Sequence, residues 1–338
     1  MNIKQAIKTL MSHKNLNAND MLNIMNDIMT GETTDAQIAG FSIALAMKGE
    51  TIDEIVSAVK VMRKLSAKLD VVDKNNLIDT CGTGGDNTNT FNISTASAIV
   101  AAAAGAKVAK HGNRSVSSKS GSADILELAG VKIDAPLDTV NKCINDINIG
   151  FMFAPVYHSA MKYAITARRD MGVKTVFNIL GPLTNPAGAK KQVLGVFDRD
   201  LINPIANVLN ELGSEHVLVV HSADKMDEIS IADKTYIAEL KNGKITEYQI
   251  EPEQFNINKS AINEIKCSSV HQSLDMIKAA FNGENGAHKD IIALNAGAAI
   301  YVSGIENNLN TGITRAMDIL NSKKALAKLR ELIKMSHS

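Results

Sequence analysis

GTGGDNTNTFNIST, residues 82–95, follows a short apolar run ending at Leu77-Ile78 and leads directly into the small-residue segment 96–106. Gly82, Gly84 and Gly85 open backbone conformations closed to other residues, so that amide groups can turn inward towards an anion. Asn92, Ser94 and Thr95 add side-chain donors where the next helix starts, and a helix N-terminus already favours phosphate through its unpaired N–H groups. The order is strand, glycine turn, helix, with a phosphate expected in the turn. GTGG alone would equally be a tight turn before an N-cap. The Thr, Asn and Ser donors behind it favour the anion.

The 338 residues suffice for a large domain plus a smaller one. A hydrophobic share of 45% with 21% charged residues is that of a soluble globular protein. Basic and acidic residues balance at 36 each, which argues against a nucleic-acid or anionic-membrane binder. Aromatics are scarce and Trp is absent, which disfavours base-stacking platforms. Cys81, Cys143 and Cys267 form no CxxC pair and suggest a reducing compartment. The N-terminal segment reads as an amphipathic helix without the apolar core of a signal peptide, and the weakly polar run 93–106 is too short to span a bilayer. A cytoplasmic protein is expected.

Residues 1–70 read as a small all-helical domain. Thr34 with Gln37 and Thr51 with Glu54 have capping-box spacing, and Gly31 closes a helix whose stripe is Met21, Ile24, Met25 and Ile28. That stripe suits a core, or a helix surface between copies, better than a ligand site. The polar residues 72–76 form the crossing. From residue 75 to 338, short apolar runs alternate with helical patterns, which implies a larger α/β domain with a mainly parallel central sheet. Strands are expected at 77–79, 107–109, 149–153, 193–197, 217–220 and 291–294. Asn242-Gly243 between 235–240 and 244–250 marks a hairpin that extends the sheet or decorates its edge.

A second chemistry-bearing motif, KHGNRSVSSKSGSAD, occupies residues 110–124 just after an expected strand. Lys110, Arg114 and Lys119 bring positive charge, Gly112 and Gly121 a mobile backbone, and Ser115, Ser117, Ser118 and Ser122 hydroxyl donors. Such a loop suits several phosphate oxygens at once. Standing alone it would read as an exposed basic loop. Its place at the end of the next strand favours a ligand, because open α/β sheets collect ligands at strand carboxyl ends.

These two motifs resemble the anthranilate phosphoribosyltransferase family, whose fold is that of the nucleoside phosphorylase-like phosphoribosyltransferases. HSAMKYAITARRDMGVKTVFNILGPLTNP at residues 158–186 and DEIS at 227–230 agree with it, and the likeness covers nearly the whole chain. It implies transfer of the 5-phosphoribosyl group of 5-phosphoribosyl 1-diphosphate (PRPP) to the amine of anthranilate, with Mg2+, in tryptophan biosynthesis. It also implies a homodimer through the helical domain, joined there by helices from about 160–188.

The resemblance assigns Gly82 to the meeting point of both substrates. Gly85, Asp86, Thr90, Asn92, Ile93, Ser94 and Thr95 match positions that hold the diphosphate sugar, and Ser94 one that coordinates a magnesium ion. Lys110, His111, Gly112, Asn113, Arg114, Ser115, Val116, Ser117 and Ser118, with Ser122, match the loop that closes over the sugar and its phosphates. Asn113 and Arg168 match anthranilate-binding residues, and a guanidinium can address both oxygens of that carboxylate. Only the motif selects Arg168 over Arg169. His158 reads either as lining the acceptor site or as a satisfied core histidine, while His111, inside the loop, has the better claim to ligand contact. Neither is assigned as a general base. Asp227 and Glu228 would point to opposite faces of a regular strand, and only a bent segment would let both converge. The resemblance assigns them to magnesium. Ser159 departs from a proline expected after the family histidine. Pyrimidine nucleoside phosphorylases share the implied architecture, but KHGNR and the Arg168 segment argue against phosphorolysis.

Overall fold

Four helices open the chain: α1 (Ile3–Met11), α2 (Ala18–Thr30), α3 (Asp35–Lys48) and α4 (Ile52–Leu65). The structure, a computed structural model, describes residues 1–115 and 120–338. Thr34 with Gln37 and Thr51 with Glu54 close the expected capping boxes, and Asn2 with Gln5 forms another. Gly31 ends α2 in the left-handed conformation at φ 84°. Met21 and Met25 are wholly buried, so the methionine stripe of α2 is core.

A buried ion pair fixes these helices to one another. Lys48 Nζ lies 2.8 Å from Glu54 Oε2, with side chains only 3% and 0% exposed. The same carboxylate accepts from the Thr51 amide at 2.8 Å and the Leu16 amide at 2.9 Å. Glu54 therefore joins the turn between α3 and α4 to the linker between α1 and α2.

The remainder alternates strands and helices: β1 (Leu77–Gly82), α5 (Ile93–Ala103), β2 (Lys107–Gly112), α6 (Ser122–Leu128), α7 (Leu137–Ile147), β3 (Ile149–Phe153), α8 (Ala154–Tyr157), α9 (Lys162–Met171), α10 (Val176–Leu180), β4 (Lys191–Gly195), α11 (Ile202–Glu211) and β5 (His216–Ser222). The hairpin β6 (Thr235–Lys241) and β7 (Lys244–Ile250) follows, then α12 (Val270–Phe281), α13 (Ala287–Ser303), α14 (Leu309–Asn321) and α15 (Lys324–Ser336). The sheet order is β3-β2-β1-β4-β5-β6-β7. The first five strands are parallel, and the hairpin extends the sheet antiparallel to β5. Asn242 and Gly243 both take positive φ, as a two-residue type I′ hairpin turn requires.

The chain runs outward from β1 to β3, then returns to place β4 on the other side of β1. That reversal opens a crevice at the carboxyl ends of β1 and β4, where ligands of such sheets collect. One apolar cluster packs α5 and the C-terminal helices on one face of the sheet. The cluster on the other face joins α1–α4 to α9, α10 and α11.

Three strand expectations need correction, the first being that β2 runs past Ala109 to Gly112, so that Lys110 and His111 are strand rather than loop residues. β4 spans Lys191–Gly195, not 193–197. Residues 291–294 are not a strand but lie within α13, whose residues 291–300 are all buried. A helix buried all round shows no polar face, so a short apolar run inside it has no period to distinguish it from a core strand.

Replacing Glu54 by Ala leaves the Lys48 ammonium buried without its partner, and should cost about 3–5 kcal/mol in urea unfolding. The apolar pair Lys48→Met with Glu54→Leu should recover much of that loss. An unchanged midpoint in the single variant would contradict the role given to this pair.

Candidate active site

Gly82 ends β1, Gly195 ends β4, and the two are register partners. A Cβ on Gly82 would collide with the Asp227 carboxylate, and one on Gly195 with the Asp227 backbone carbonyl. The segment carrying Asp227 thus crosses both strand ends at the one place where neither has a side chain. It is held on both sides. Met226 and Ser222 exchange bonds, Met226 N donating to Ser222 Oγ and Ser222 N to Met226 O, each at 3.0 Å. From α13, the Asn295 side chain accepts from the Ile229 amide and donates to its carbonyl, both at 2.9 Å.

This bent path turns two adjacent carboxylates to the same loop. Gly84 N donates to Asp227 Oδ2 at 2.9 Å, and Ser94 N to Glu228 Oε1 at 3.2 Å. Burial first, and then the nearby Asp86, pushes the Asp227 carboxyl up to about 7. Burial and Asp227 raise Glu228 well above the usual carboxylate range, with Lys110 opposing. A recess of hard oxygen donors with so little countercharge fits a divalent cation such as Mg2+. No group of three or more His, Cys, Asp or Glu side chains among the described residues forms a ready cage. That suits an ion which takes one or two carboxylates and completes its shell with water and phosphate oxygens.

The glycine turn is tied to β4 through Thr83, whose amide donates to the Gly195 carbonyl and whose Oγ1 accepts from the Phe197 amide, both at 2.9 Å. Gly84 and Gly85 lie at φ 65° and 75°. Asp86 turns its carboxylate onto the Thr88 amide and hydroxyl. Thr90 bridges to Lys266. Asn92 precedes α5 but does not cap it. Its side chain instead binds Ser120 and Ser273, tying the first loop to the second and to α12. Ile93 is core, and its amide is taken by the Phe91 carbonyl at 2.7 Å. In the first turns of α5, Thr95 Oγ1 and Ser97 Oγ are buried without a partner among the described residues.

The second loop leaves β2 at Gly112 and closes on a narrow neck. Asn113 O accepts from Ser122 Oγ and the Ala123 amide, and a Cβ on Gly112 would strike Ser122. Arg114 is engaged by Asp124 at 3.0 Å and Glu127 at 2.7 Å on α6, which raises its pKa further. Asp124 also receives the Ser115 amide. Lys110 is not in the loop. Its ammonium lies beneath β1, donating to the Thr80 carbonyl at 2.6 Å, with Asp79 and Glu228 nearby. Val116, Ser117, Ser118 and Lys119 lie outside the described residues.

The His111 and His158 rings meet edge to face at 4.9 Å. Both are buried, and each Nε2 lacks a partner among the described residues. Burial holds them neutral, His111 at about 3 and His158 at about 4. Arg168 on α9 sits 5.9 Å from the Phe177 ring and has no carboxylate partner among the described residues. Arg169, by contrast, is exposed and paired with Asp170.

Four functional neighbours escaped the sequence reading. Asp79, buried within β1, accepts from the His111 amide at 3.1 Å and from Asn185 Nδ2 at 2.7 Å. Asn185 and Lys174 both lie in the 158–186 stretch and Asn295 on α13, and none carries a local signal, because their partners are far away in sequence.

The chain matches the glycosyl transferase family, a/b domain, over residues 74–326 and that family's helical bundle domain over residues 4–66. It is 54% identical to the anthranilate phosphoribosyltransferase of Ruthia magnifica subsp. Calyptogena magnifica, over 99% of each chain. Identity to the one from Methylobacillus flagellatus is 53%, over 100% of this chain and 99% of that one. Among solved structures, the anthranilate phosphoribosyltransferase of Thermus thermophilus superposes with a TM-score of 0.93 at 36% identity, covering 98% of this chain and 99% of that one. The Saccharomyces cerevisiae protein, in complex with PRPP and Mg, gives 0.90 at 26%, covering 99% and 98%.

A histidine held below its unfolded value of about 6.5 contributes nothing above that pH, where both states are neutral, and costs stability progressively as pH falls below it, because only the unfolded state then takes up the proton. Each ring should therefore remove about 1.4 kcal/mol per pH unit between about 6.5 and 5. His158→Gln should flatten the pH dependence of the urea midpoint in this window. A variant with the wild-type slope would contradict a buried neutral His158.

Proposed function

The chain belongs to the anthranilate phosphoribosyltransferases, and we propose that it transfers the 5-phosphoribosyl group of PRPP to the amine of anthranilate, giving N-(5-phosphoribosyl)anthranilate and pyrophosphate, a step of tryptophan biosynthesis. The observation that carries this reading is the acid pair Asp227–Glu228 laid across two glycine strand ends, facing a loop whose amides and helix N-terminus favour phosphate. Arg168, without a carboxylate of its own, supplies the complement for an aromatic acid.

In this reading Asp227 and Glu228, with Ser94, hold Mg2+. The ion supplies charge stabilisation to the departing pyrophosphate. Gly82, Gly85, Asp86, Thr90 and residues 92–95 hold the donor, and Lys110 lends positive charge to Glu228 from beneath β1. His111, Asn113, Arg114, Ser115 and Ser122 border the sugar and its phosphates. Arg168 and Asn113 orient anthranilate so that its amine faces the anomeric carbon, with His111 and His158 walling the acceptor side as neutral rings. The carbon–oxygen bond to pyrophosphate breaks, the carbon–nitrogen bond forms, and the amine loses its proton to solvent or to the leaving group. The weakly basic amine becomes acidic only as the bond forms, so no strong general base is required. Alignment and electrostatics at the leaving group provide the acceleration.

The chain divides into a helical domain, residues 1–70 with α9 and α10, and a catalytic α/β domain from 75 to 338. Met11, Ile43, Met47 and Ile165 stand 71%, 40%, 76% and 51% exposed on α1, α3 and α9, which supports a homodimer through the helical domain. No helix among the described residues is long and apolar enough to cross a membrane. The three cysteines form no disulfide with one another, in keeping with the cytoplasm.

Fluorescence-monitored consumption of anthranilate should require both PRPP and Mg2+ and stop on chelation. No consumption with all three present would sink the proposal. Arg168→Ala should raise the anthranilate KM at least about tenfold, the loss of one charge-assisted contact, while the PRPP KM stays within about twofold. Equal shifts in both would contradict its role. Because the Asp227 proton competes with the metal, Mg2+ should raise the melting temperature more at about pH 8 than at about pH 6. Asp227→Asn with Glu228→Gln should abolish that difference.

A further inference from the structure

Lys174 is an exposed lysine in the short joint between α9 and α10, yet its ammonium is engaged twice. It donates to the Gly85 carbonyl at 2.8 Å and lies 3.6 Å from the centroid of the Phe197 ring. Phe197 in turn donates its amide to Thr83 Oγ1, so both partners of Lys174 belong to the glycine turn or to its anchor on β4.

The backbone around Lys174 is fixed on either side. Gly172 closes α9 in the left-handed conformation at φ 63°. Thr175 opens α10 with its amide on Asn178 Oδ1 at 2.9 Å. The joint therefore has little freedom, and it belongs to the segment that carries Arg168.

The glycine turn, by contrast, has two consecutive positive-φ glycines, Gly84 and Gly85, and peptide planes beside glycines can reverse at small cost. In a trans peptide the C=O and the following N–H point in opposite directions. Anchoring the Gly85 carbonyl on Lys174 therefore turns the Asp86 N–H away from the joint. Among the described residues neither the Gly85 nor the Asp86 amide finds a protein acceptor. Thr83 and Gly84 are held from the α/β side by Gly195 and Asp227, but neither contact sets the plane of the Gly85–Asp86 peptide.

We propose that Lys174 is a positioning residue: by holding the Gly85 carbonyl outward it fixes the orientation of the Gly85–Asp86 peptide, so that the Asp86 amide is presented to the diphosphate of the donor substrate. The donor's identity rests on the functional reading above. The requirement for an anion in the turn does not.

Direct binding of inorganic pyrophosphate with Mg2+, followed by calorimetry, separates the two. Lys174→Ala should weaken pyrophosphate binding about tenfold, the effect of one misaligned charge-assisted donor. Lys174→Arg, which keeps the cation and the donors, should recover to within about threefold of wild type, and Lys174→Met, which keeps only the apolar stem, should not. In steady state the PRPP KM should rise in parallel while the anthranilate KM and the melting temperature stay put. Wild-type pyrophosphate affinity in Lys174→Ala overturns the proposal. So does a loss restored by Lys174→Met, which would make the effect one of packing. A protein that binds pyrophosphate in a Lys174-dependent way but consumes no anthranilate would overturn the functional reading and leave this inference standing.

Discussion

Two strand ends without side chains make room for one acidic residue, and the site depends on that steric fact. Gly82 and Gly195 lie side by side across β1 and β4, and any Cβ on either would occupy space held by Asp227. A loop from the far end of β5 can therefore lie directly on the crevice created by the reversal in strand order. Without that close approach, Asp227 and Glu228 would stand off from the loop that follows β1. With it, one carboxylate reaches Gly84 at the start of the loop and the other reaches Ser94 at its end.

Negative charge concentrated there has to be tolerated before a ligand arrives. Burial pushes both carboxyls up, helped by Asp86 at Asp227 and by Asp227 at Glu228, and the buried Lys110 opposes that for Glu228 while resting on Thr80. Asp79 within β1, bound to the His111 amide and to Asn185, continues the polar stack. The His111–His158 contact then links β2 to the start of the segment that bears Arg168. The joint at Lys174 reaches back from the helical side to the glycine turn.

Much of this was legible because it is local. Capping boxes, the Gly31 stop, the Asn242-Gly243 turn and the strand–glycine–helix order each depend on neighbours within a few residues, and each formed as read. What stayed hidden depends on distant partners. Lys110 read as a loop cation because its neighbours are loop residues, but the strand continues to Gly112 and turns its ammonium under β1. Arg114 reads as a source of positive charge in the loop, and the carboxylates that engage it come from α6. Asn92 reads as a side-chain donor at the start of the helix, whereas Ser120 and Ser273 engage its side chain. Residues 291–294 read as a strand because a helix buried on every side has no polar face to betray its period.

A crystal structure with PRPP and Mg2+ bound tests the central claim most directly. The diphosphate should lie between the Gly84–Gly85 turn and the N-terminus of α5, with the metal on Asp227 and Glu228 and the anomeric carbon turned towards Arg168. A diphosphate seated away from the ends of β1 and β4, or a metal that touches neither carboxylate, would contradict it.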